Sequence, residues 1–212
     1  MKYLILIICA YLLGSVPFAL IIARAHGKDL RTIGSCNIGA TNLSRAIGRK
    51  WAFFCFFLDA LKGLVPMLAA TFNLSSPPTI PQLVLSLSVG CASILGHIFP
   101  IYIKFKGGKG VATSFGVALG LWPYYTLPAV IAFAVWAVVL LLSRYMSLSS
   151  IVASVAFPIA LVLSIVLIPS WDFANLWPLL IAALAIPIMV IIRHHENIKR
   201  LITGTESKIF AK

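Results

Sequence analysis

A glycine-rich basic segment at residues 106–110 has the composition of a phosphate-binding loop. Its sequence is Lys-Gly-Gly-Lys-Gly, in which glycines permit close backbone approach and lysines supply positive charge. It departs from the Walker A pattern, because Ile103 stands where that pattern needs glycine and Gly110 where it needs serine or threonine. An apolar helix follows, and its positive end could face an anion. Lysines that only anchor the chain at lipid headgroups are the alternative, but three glycines favour a phosphate site.

A second polar segment, residues 34–42, combines glycines with hydroxyl and amide side chains. Its sequence is Gly-Ser-Cys-Asn-Ile-Gly-Ala-Thr-Asn, and Arg45 follows shortly after. The glycines allow backbone N–H groups to turn towards a bound anion, and the arginine offers a fork that matches phosphate oxygens. An ordinary interfacial turn is the alternative, but such turns seldom need all these groups together. The composition favours a functional site.

A third polar segment, residues 193–206, follows the last apolar run. If the helix continues there, His194 and Asn197 share one face, and so do Glu196 and Arg200. The first pair could act on a substrate, whereas the second is expected to brace the segment. A solvated amphipathic tail is an equally good interpretation of this segment taken alone.

Asp59 and Lys62 lie within an apolar segment. Intramembrane charges are expensive and therefore suggest a function, although an i, i+3 spacing equally suits a mutually neutralising structural pair. Gly63 beside them indicates close helix packing. The four cysteines form no CxxC pair, and small buried hydrophobes are a better interpretation than disulfides or metal ligands, so no metal site is expected.

The composition is that of a helical membrane protein. Of 212 residues, 61% are hydrophobic and only 10% are charged. A soluble domain needs charge on roughly a quarter of its residues. Its apolar runs are continuous rather than alternating, which favours membrane helices over a barrel. The excess of basic residues has no soluble fold to carry it, so nucleic-acid binding is excluded. Lys2 and the apolar run after it resemble a signal peptide, but no small-residue cleavage site follows, and we expect a first membrane helix.

We predict seven membrane helices in a single domain that covers residues 1–212. They lie at about 3–23, 51–72, 82–102, 111–122, 124–143, 148–169 and 176–193, and the loops 24–50 and 103–110 and the tail 193–212 carry the polar segments. The fourth helix has only twelve residues before Pro123, so at 1.5 Å per residue it reaches only part of the way across the bilayer unless flanking residues extend it.

The distribution of charge favours a crossing by this short segment. If it crosses, the two loops, Arg144 and the tail share one face, and of the seventeen basic residues only Lys2 and Lys62 lie elsewhere. If it does not cross, Arg144 and the tail change sides. The positive-inside rule favours the crossing, with the N-terminus outside and the C-terminus in the cytoplasm. All three polar segments then lie at the cytoplasmic face.

These segments, in this order, resemble the three motifs of the bacterial acyl-phosphate:glycerol-3-phosphate acyltransferase family. The resemblance covers essentially the whole chain and includes Gly14-Ser-Val-Pro17, Asp29-Leu-Arg31, Asp59-x-x-Lys62-Gly63 and Ser147-Leu-Ser-Ser150. It implies a seven-helix enzyme of the bacterial inner membrane that makes 1-acyl-glycerol-3-phosphate and inorganic phosphate. That is the first acylation step of phospholipid synthesis. It also implies no cofactor, and a functional link to the enzyme that produces acyl phosphate. A monomer is compatible with it.

The resemblance and the composition of the polar segments together predict roles for individual residues. Those expected to be needed for catalysis are Ser35, Arg45, His194 and Asn197. Those expected to bind substrate or phosphate are Asn37, Thr41, Asn42, Lys104, Gly107, Gly108, Lys109 and Gly110. Glu196, Asp59 and Lys62 are expected to be structural. The chain departs from the family at Cys36, where glycine is usual, and at His195, where arginine is common.

The residues favour direct transfer over an acyl-enzyme. None of the four histidines has an aspartate at the spacing of the acyl-CoA-dependent enzymes, and there is no Gly-x-Ser-x-Gly elbow. Acyl phosphate already carries a good leaving group, so positioning and charge stabilisation could supply much of the acceleration. A substrate phosphate oxygen, or less readily His194, would take the proton. The competing interpretations are an anion or phosphate-ester transporter, which should carry polar residues at both membrane faces, and a non-catalytic protein that binds anionic lipid.

Overall fold

The computed structural model describes residues 1–209, and every regular element in that range is helical. The helices are α1 Lys2–Gly14, α2 Phe18–Ala25, α3 Ala40–Ile47, α4 Arg49–Thr71, α5 Ile80–Ile98, α6 Val111–Gly120, α7 Thr126–Ser143, α8 Met146–Leu167, α9 Phe173–Arg193 and α10 His195–Ile202. A short 3-10 turn, Ile101–Ile103, follows α5. The predicted all-α class is therefore confirmed. Two compact units are present, one formed by Met1–Leu74 with Leu85–Gly120 and the other by Ser75–Val84 with the described part of Leu121–Lys212.

Most of the predicted helices are found with shifted ends. The helix predicted at 51–72 begins at Arg49, and the one predicted at 176–193 begins at Phe173, where the Asp172 carboxylate caps it by accepting a hydrogen bond from Ala174 N at 3.0 Å. The helix predicted at 82–102 ends at Ile98, because Pro100 cannot continue its hydrogen bonding. The segment 24–50 was predicted as a loop, but it contains α3, and the helical continuation considered for the tail is found as α10.

The single helix predicted at 3–23 is wrong in detail, because the chain breaks between α1 and α2. Pro17 has no N–H to donate and disfavours helical geometry at Val16 before it. The Val16 carbonyl, released from the helix, accepts a hydrogen bond from the Lys62 ammonium at 2.9 Å. The two pieces still make up one apolar span, Lys2–Ala25.

Close packing of α4 on α6 organises the first unit. A Cβ on Gly63 would collide with the Thr113 carbonyl, and one on Gly116 would collide with the Ala60 carbonyl. The two helices therefore approach to backbone contact, as small residues permit in membrane helices. The packing predicted from Gly63 is confirmed.

Six apolar spans within residues 1–209 are long enough to cross a membrane, and the first of them consists of α1 and α2. The fourth predicted helix, α6, is not among them, because it has only ten residues and a length of about 15 Å at 1.5 Å per residue. The seven crossings and the orientation of the termini therefore stay predictions.

In the second unit, α7, α8 and α9 pack around Tyr125. Its ring lies edge-on to Phe157 with centroids 5.0 Å apart, and its hydroxyl donates to the Leu179 carbonyl at 2.5 Å. Three serines of α8, Ser150, Ser154 and Ser164, donate to carbonyls of their own helix, as Ser150 does to Met146 at 2.9 Å. Such back-bonding lets hydroxyl groups lie in an apolar helix without a further partner.

Candidate active site

The loop before α3 takes its shape from Asn42, which is only 2% exposed. Its Oδ1 accepts a hydrogen bond from Ser35 N at 3.1 Å. Its Nδ2 donates to three backbone carbonyls of the loop, at 2.9 to 3.2 Å: Leu30, Ile33 and Asn37. The amide predicted to bind substrate is therefore engaged with the backbone on both its oxygen and its nitrogen. In this geometry Asn42 holds the loop in place.

Two residues of the same loop adopt the left-handed backbone conformation. Gly34 has φ +56, and a Cβ there would lie 2.5 Å from Asn42 Oδ1, so only glycine fits. Cys36, which stands where the resembled family usually has glycine, has φ +55. A side chain at such a φ is strained, and the departure seen in the sequence therefore has a conformational cost.

The groups that remain available at this loop are Ser35, Arg45 and Asn37. Ser35 and Arg45 are exposed, and Arg45 lies beside the Gly34 turn. Asn37 Oδ1 is buried and accepts no hydrogen bond from the described residues. A buried acceptor without a donor is costly unless a ligand supplies one. Thr41, in the first turn of α3, is half-buried.

The glycine-rich loop is fastened to the end of α5. Gly107 N donates to the Ile98 carbonyl and Gly108 N to the His97 carbonyl, each at 3.1 Å. These two backbone amides therefore donate to the end of α5. From the sequence we had expected the glycines to let the backbone approach a bound phosphate. A Cβ on Gly107 would lie 2.5 Å from the Ile98 carbonyl oxygen, so the fastening requires glycine. Lys104 enters the loop in the left-handed conformation with φ +56, and Gly110, with φ +81, leads into α6.

The first unit brings the two loops together. Ile38 and Leu43, from the loop before α3 and from α3 itself, belong to a buried apolar cluster, and Ile103 packs against it at the start of the glycine-rich loop. Ile38 and Gly108 also line the same small recess. The first two polar segments, 64 residues apart between Asn42 and Lys106 by numbering, are therefore neighbours in space.

The charged floor of that recess is the predicted pair Asp59 and Lys62. Both side chains are buried, and Lys62 Nζ lies 2.8 Å from Asp59 Oδ1, which confirms the predicted pairing. A third member, His97, is indicated by no local sequence pattern, and its Nδ1 lies 3.7 Å from the same carboxylate oxygen. It is 35 residues beyond Lys62 by numbering and shares no helical periodicity with it. Only the packing of α5 reveals it.

The third polar segment lies in the second unit and is bent at His194. This residue separates α9 from α10 and is 3% exposed. Its Nδ1 lies 2.7 Å from the Val190 carbonyl oxygen, which can only accept, so this nitrogen carries the hydrogen. The hydrogen bond fixes the orientation of the ring.

Glu206 is the structural carboxylate of this segment. Its Oε1 accepts hydrogen bonds from Asn197 at 2.6 Å and Ser147 at 2.8 Å, and its Oε2 accepts one from Arg200 Nε at 2.7 Å. Burial tends to raise the pKa of the Glu206 carboxyl, but the hydrogen bonds from Arg200, Asn197 and Ser147 outweigh it and hold the pKa below its usual range.

The predicted brace between Glu196 and Arg200 is wrong. Arg200 turns to Glu206 instead, and the exposed Glu196 lies 3.3 Å from His195 Nε2. Helical spacing favoured the i, i+4 partner, whereas the chain folds back after α10 and brings Glu206 to the arginine.

The four cysteines in the described residues are free thiols. Cys55 is buried, as expected, but Cys9 and Cys91 lie at exposed positions of membrane helices and Cys36 lies in an exposed loop.

The carboxylates are all engaged within their own units, which leaves several cations available. Asp29 pairs with Arg31 at 2.5 Å, and the Arg31 guanidinium lowers the Asp29 pKa to about 2. The remaining acids pair as described above or, in the case of Asp172, cap α9. Arg45, Lys104 and Lys106 have no acidic partner among residues 1–209 and are exposed. Exposed cations beside a glycine-rich loop suit a phosphate ligand.

The fold and the site define a class: a helical integral membrane protein with exposed cations beside two polar loops. The model of the glycerol-3-phosphate acyltransferase family matches residues 4–204. The glycerol-3-phosphate acyltransferase of Aquifex aeolicus is 43% identical over 98% of this chain and 100% of its own length. That of Trichlorobacter lovleyi is 44% identical over 95% of each chain.

Two solved structures agree with this result. Both are of PlsY (YgiH), an integral membrane glycerol 3-phosphate acyltransferase, and each match covers 99% of this chain and 96% of the other. The glycerol 3-phosphate form is 41% identical with a TM-score of 0.85, and the lysophosphatidic acid form is 40% identical with a TM-score of 0.83. The chain belongs to the glycerol-3-phosphate acyltransferase family, and it is a membrane-bound acyltransferase.

Proposed function

We propose that this enzyme transfers an acyl group from acyl phosphate to the 1-hydroxyl of glycerol 3-phosphate. The products are 1-acyl-glycerol-3-phosphate and inorganic phosphate. The observation that carries the proposal is the set of exposed cations without carboxylate partners beside the two loops of the first unit. The similar structures with glycerol 3-phosphate and with lysophosphatidic acid support the acceptor and the product.

The phosphates are proposed to bind to Arg45, Lys104 and Lys109, with Ser35 and Thr41 donating hydroxyl hydrogen bonds. Both substrates carry phosphate, so the site has to offset the repulsion between two anions. Asn37 Oδ1, buried without a donor in the described residues, is proposed to accept a hydrogen bond from a hydroxyl of the acceptor substrate. Gly107, Gly108 and Gly110 contribute by holding the loop against α5.

The reaction is proposed to proceed by direct attack. The 1-hydroxyl oxygen bonds to the acyl carbonyl carbon, the bond from that carbon to the phosphate oxygen breaks, and phosphate leaves with its electron pair. The hydroxyl proton passes to a substrate phosphate oxygen, or alternatively to His194 Nε2, since Nδ1 donates to the Val190 carbonyl. Asn197 is proposed to act beside His194 in this step, held by Glu206.

The donor is tested with purified protein in detergent. We expect palmitoyl phosphate and glycerol 3-phosphate to give lysophosphatidate and phosphate in equal amounts, and palmitoyl-CoA to give neither. Product from palmitoyl-CoA alone would contradict the proposed donor while leaving the acyltransferase class intact. Arg45→Gln is expected to lower kcat/KM by about 10²-fold or more, as loss of a charged substrate contact does. The exposed Arg24→Gln is the matched control.

We further propose seven crossings with the C-terminus in the cytoplasm of a bacterial cell, the acyl chain lying between helices, and acyl phosphate supplied by a separate enzyme. The charge asymmetry of the sequence supports the orientation. Reporter fusions after Gly110 and after Arg144 test it. Both fusions should report the cytoplasm, because α6 and α7 then cross as a pair. A periplasmic signal after Arg144 alone would mean that α6 does not cross.

A further inference from the structure

We propose that His97 is a positioning residue that sets the conformation of the glycine-rich loop and hence the affinity for glycerol 3-phosphate. This inference rests on the proposed role of that loop in binding. His97 lies in the last turn of α5 and is 8% exposed. Its carbonyl accepts the amide of Gly108 at 3.1 Å, and its ring lies directly under the same residue, where a Cβ would collide with Nε2. Backbone and side chain of one histidine thus contact one glycine of the loop.

The ring is held from the other side by the buried ion pair. Its Nδ1 lies 3.7 Å from Asp59 Oδ1, which is within ion-pair distance although longer than a hydrogen bond. Asp59 in turn holds Lys62, whose ammonium donates to the Val16 carbonyl at the break between α1 and α2. A continuous set of contacts therefore runs from the helix break through two buried charges and the imidazole to the loop.

The glycine-rich loop also carries cations that would bind phosphate. Buried charges are costly, and one attested reason for keeping them is that they impose a single arrangement on their neighbours. Lys104 precedes the glycine-rich loop and Lys106 is its first residue. A shift of the loop backbone therefore moves their ammonium groups relative to the bound ligand. Misplacement by about 1 Å costs on the order of 10²-fold in well-positioned sites.

The first test is His97→Asn, which keeps a polar side chain but removes most of the ring. We expect KM for glycerol 3-phosphate to rise about tenfold with kcat within about threefold, because positioning of a binding loop affects ground-state and transition-state binding alike. His26→Asn replaces an exposed histidine of the same unit and is expected to leave both constants unchanged. A kcat loss of about 10²-fold or more with KM unchanged would instead identify His97 as a general base and overturn the proposal.

The second test is a double-mutant cycle with Gly108→Ala, whose Cβ collides with the His97 ring. Gly108→Ala alone should raise KM for glycerol 3-phosphate. His97→Ala removes the ring with which that Cβ collides. The increase in KM in the double variant should therefore be smaller than the product of the increases in the two single variants. Strict additivity would overturn the proposal. An unchanged KM in Gly108→Ala would also overturn it, and that measurement can be made even if the His97 variants do not fold.

Equilibrium binding of radiolabelled glycerol 3-phosphate separates this inference from the proposed function. The measurement needs no acyl donor, so it stands even if palmitoyl phosphate is not a substrate. We expect the dissociation constant to rise about tenfold in His97→Asn and to stay unchanged in His26→Asn. Equal affinity in the wild type and His97→Asn would overturn the positioning role. Absence of binding to the wild type would instead contradict the proposed acceptor site.

Discussion

Asn197 donates a hydrogen bond to Glu206 Oε1 at 2.6 Å, and this contact fixes an amide expected to serve catalysis to a carboxylate beyond the end of α10. The same carboxylate holds Ser147 and Arg200. Glu206 therefore joins α8 to the turn after α10 within the second unit. The Glu206 side chain thus holds Asn197 in position and connects the tail to α8.

Replacement of Glu206 by alanine is expected to destabilise the protein. Three donors lose their acceptor, and leaving buried donors unsatisfied costs about 1 to 3 kcal/mol, discounted here because Arg200 is 35% exposed. We expect a fall of about 5 °C in the melting temperature in detergent. Glu196→Ala, at an exposed carboxylate, should change it by less than about 1 °C. An equal loss in both variants would contradict the role of Glu206.

Protonation of Glu206 should contribute to the loss of stability of the wild type at low pH. The Glu206 pKa in the fold is lower than the ordinary value of 4.5, so the unfolded chain binds more protons as the pH falls below 4.5. The stabilisation is therefore present above that pH and is lost as the pH drops through the pKa of the folded state. Melting temperatures between pH 7 and pH 3 measure this, and Glu206→Gln should show a shallower decline below pH 4.5. Parallel curves would refute the assignment.

Several of these features follow from local sequence. The i, i+3 spacing predicted the Asp59–Lys62 pair, and Gly63 predicted the close approach to α6. The break before Pro17 also had a local signal, since proline inside an apolar run interrupts helical hydrogen bonding. The contacts of Glu206 and His97 had none, because their partners lie up to 59 residues away and meet them only through helix packing or a turn of the chain. Local spacing predicts contacts within a helix, whereas contacts between elements depend on tertiary structure.

Asn42 is expected to affect activity through the loop it holds. Asn42→Asp keeps the acceptor for Ser35 N but replaces the donor to three carbonyls with an oxygen that repels them. We expect kcat/KM for glycerol 3-phosphate to fall about 10²-fold and stability to fall by about 2 kcal/mol. Lost activity with an unchanged melting temperature would instead indicate direct contact between Asn42 and substrate.

Replacement of Cys36 by glycine is expected to stabilise the protein, unlike the substitutions discussed above. With φ +55 it adopts the left-handed conformation, which costs about 1 to 2 kcal/mol for a residue with a side chain. Cys36→Gly relieves this cost but makes the unfolded chain more flexible, so a net gain of about 0.5 to 1 kcal/mol is expected. The melting temperature should rise by about 2 °C. Cys9→Gly, inside α1, should lower stability by a similar amount, because glycine is unfavourable within a helix. If both variants shift the melting temperature downward, the left-handed conformation at Cys36 is not a source of strain.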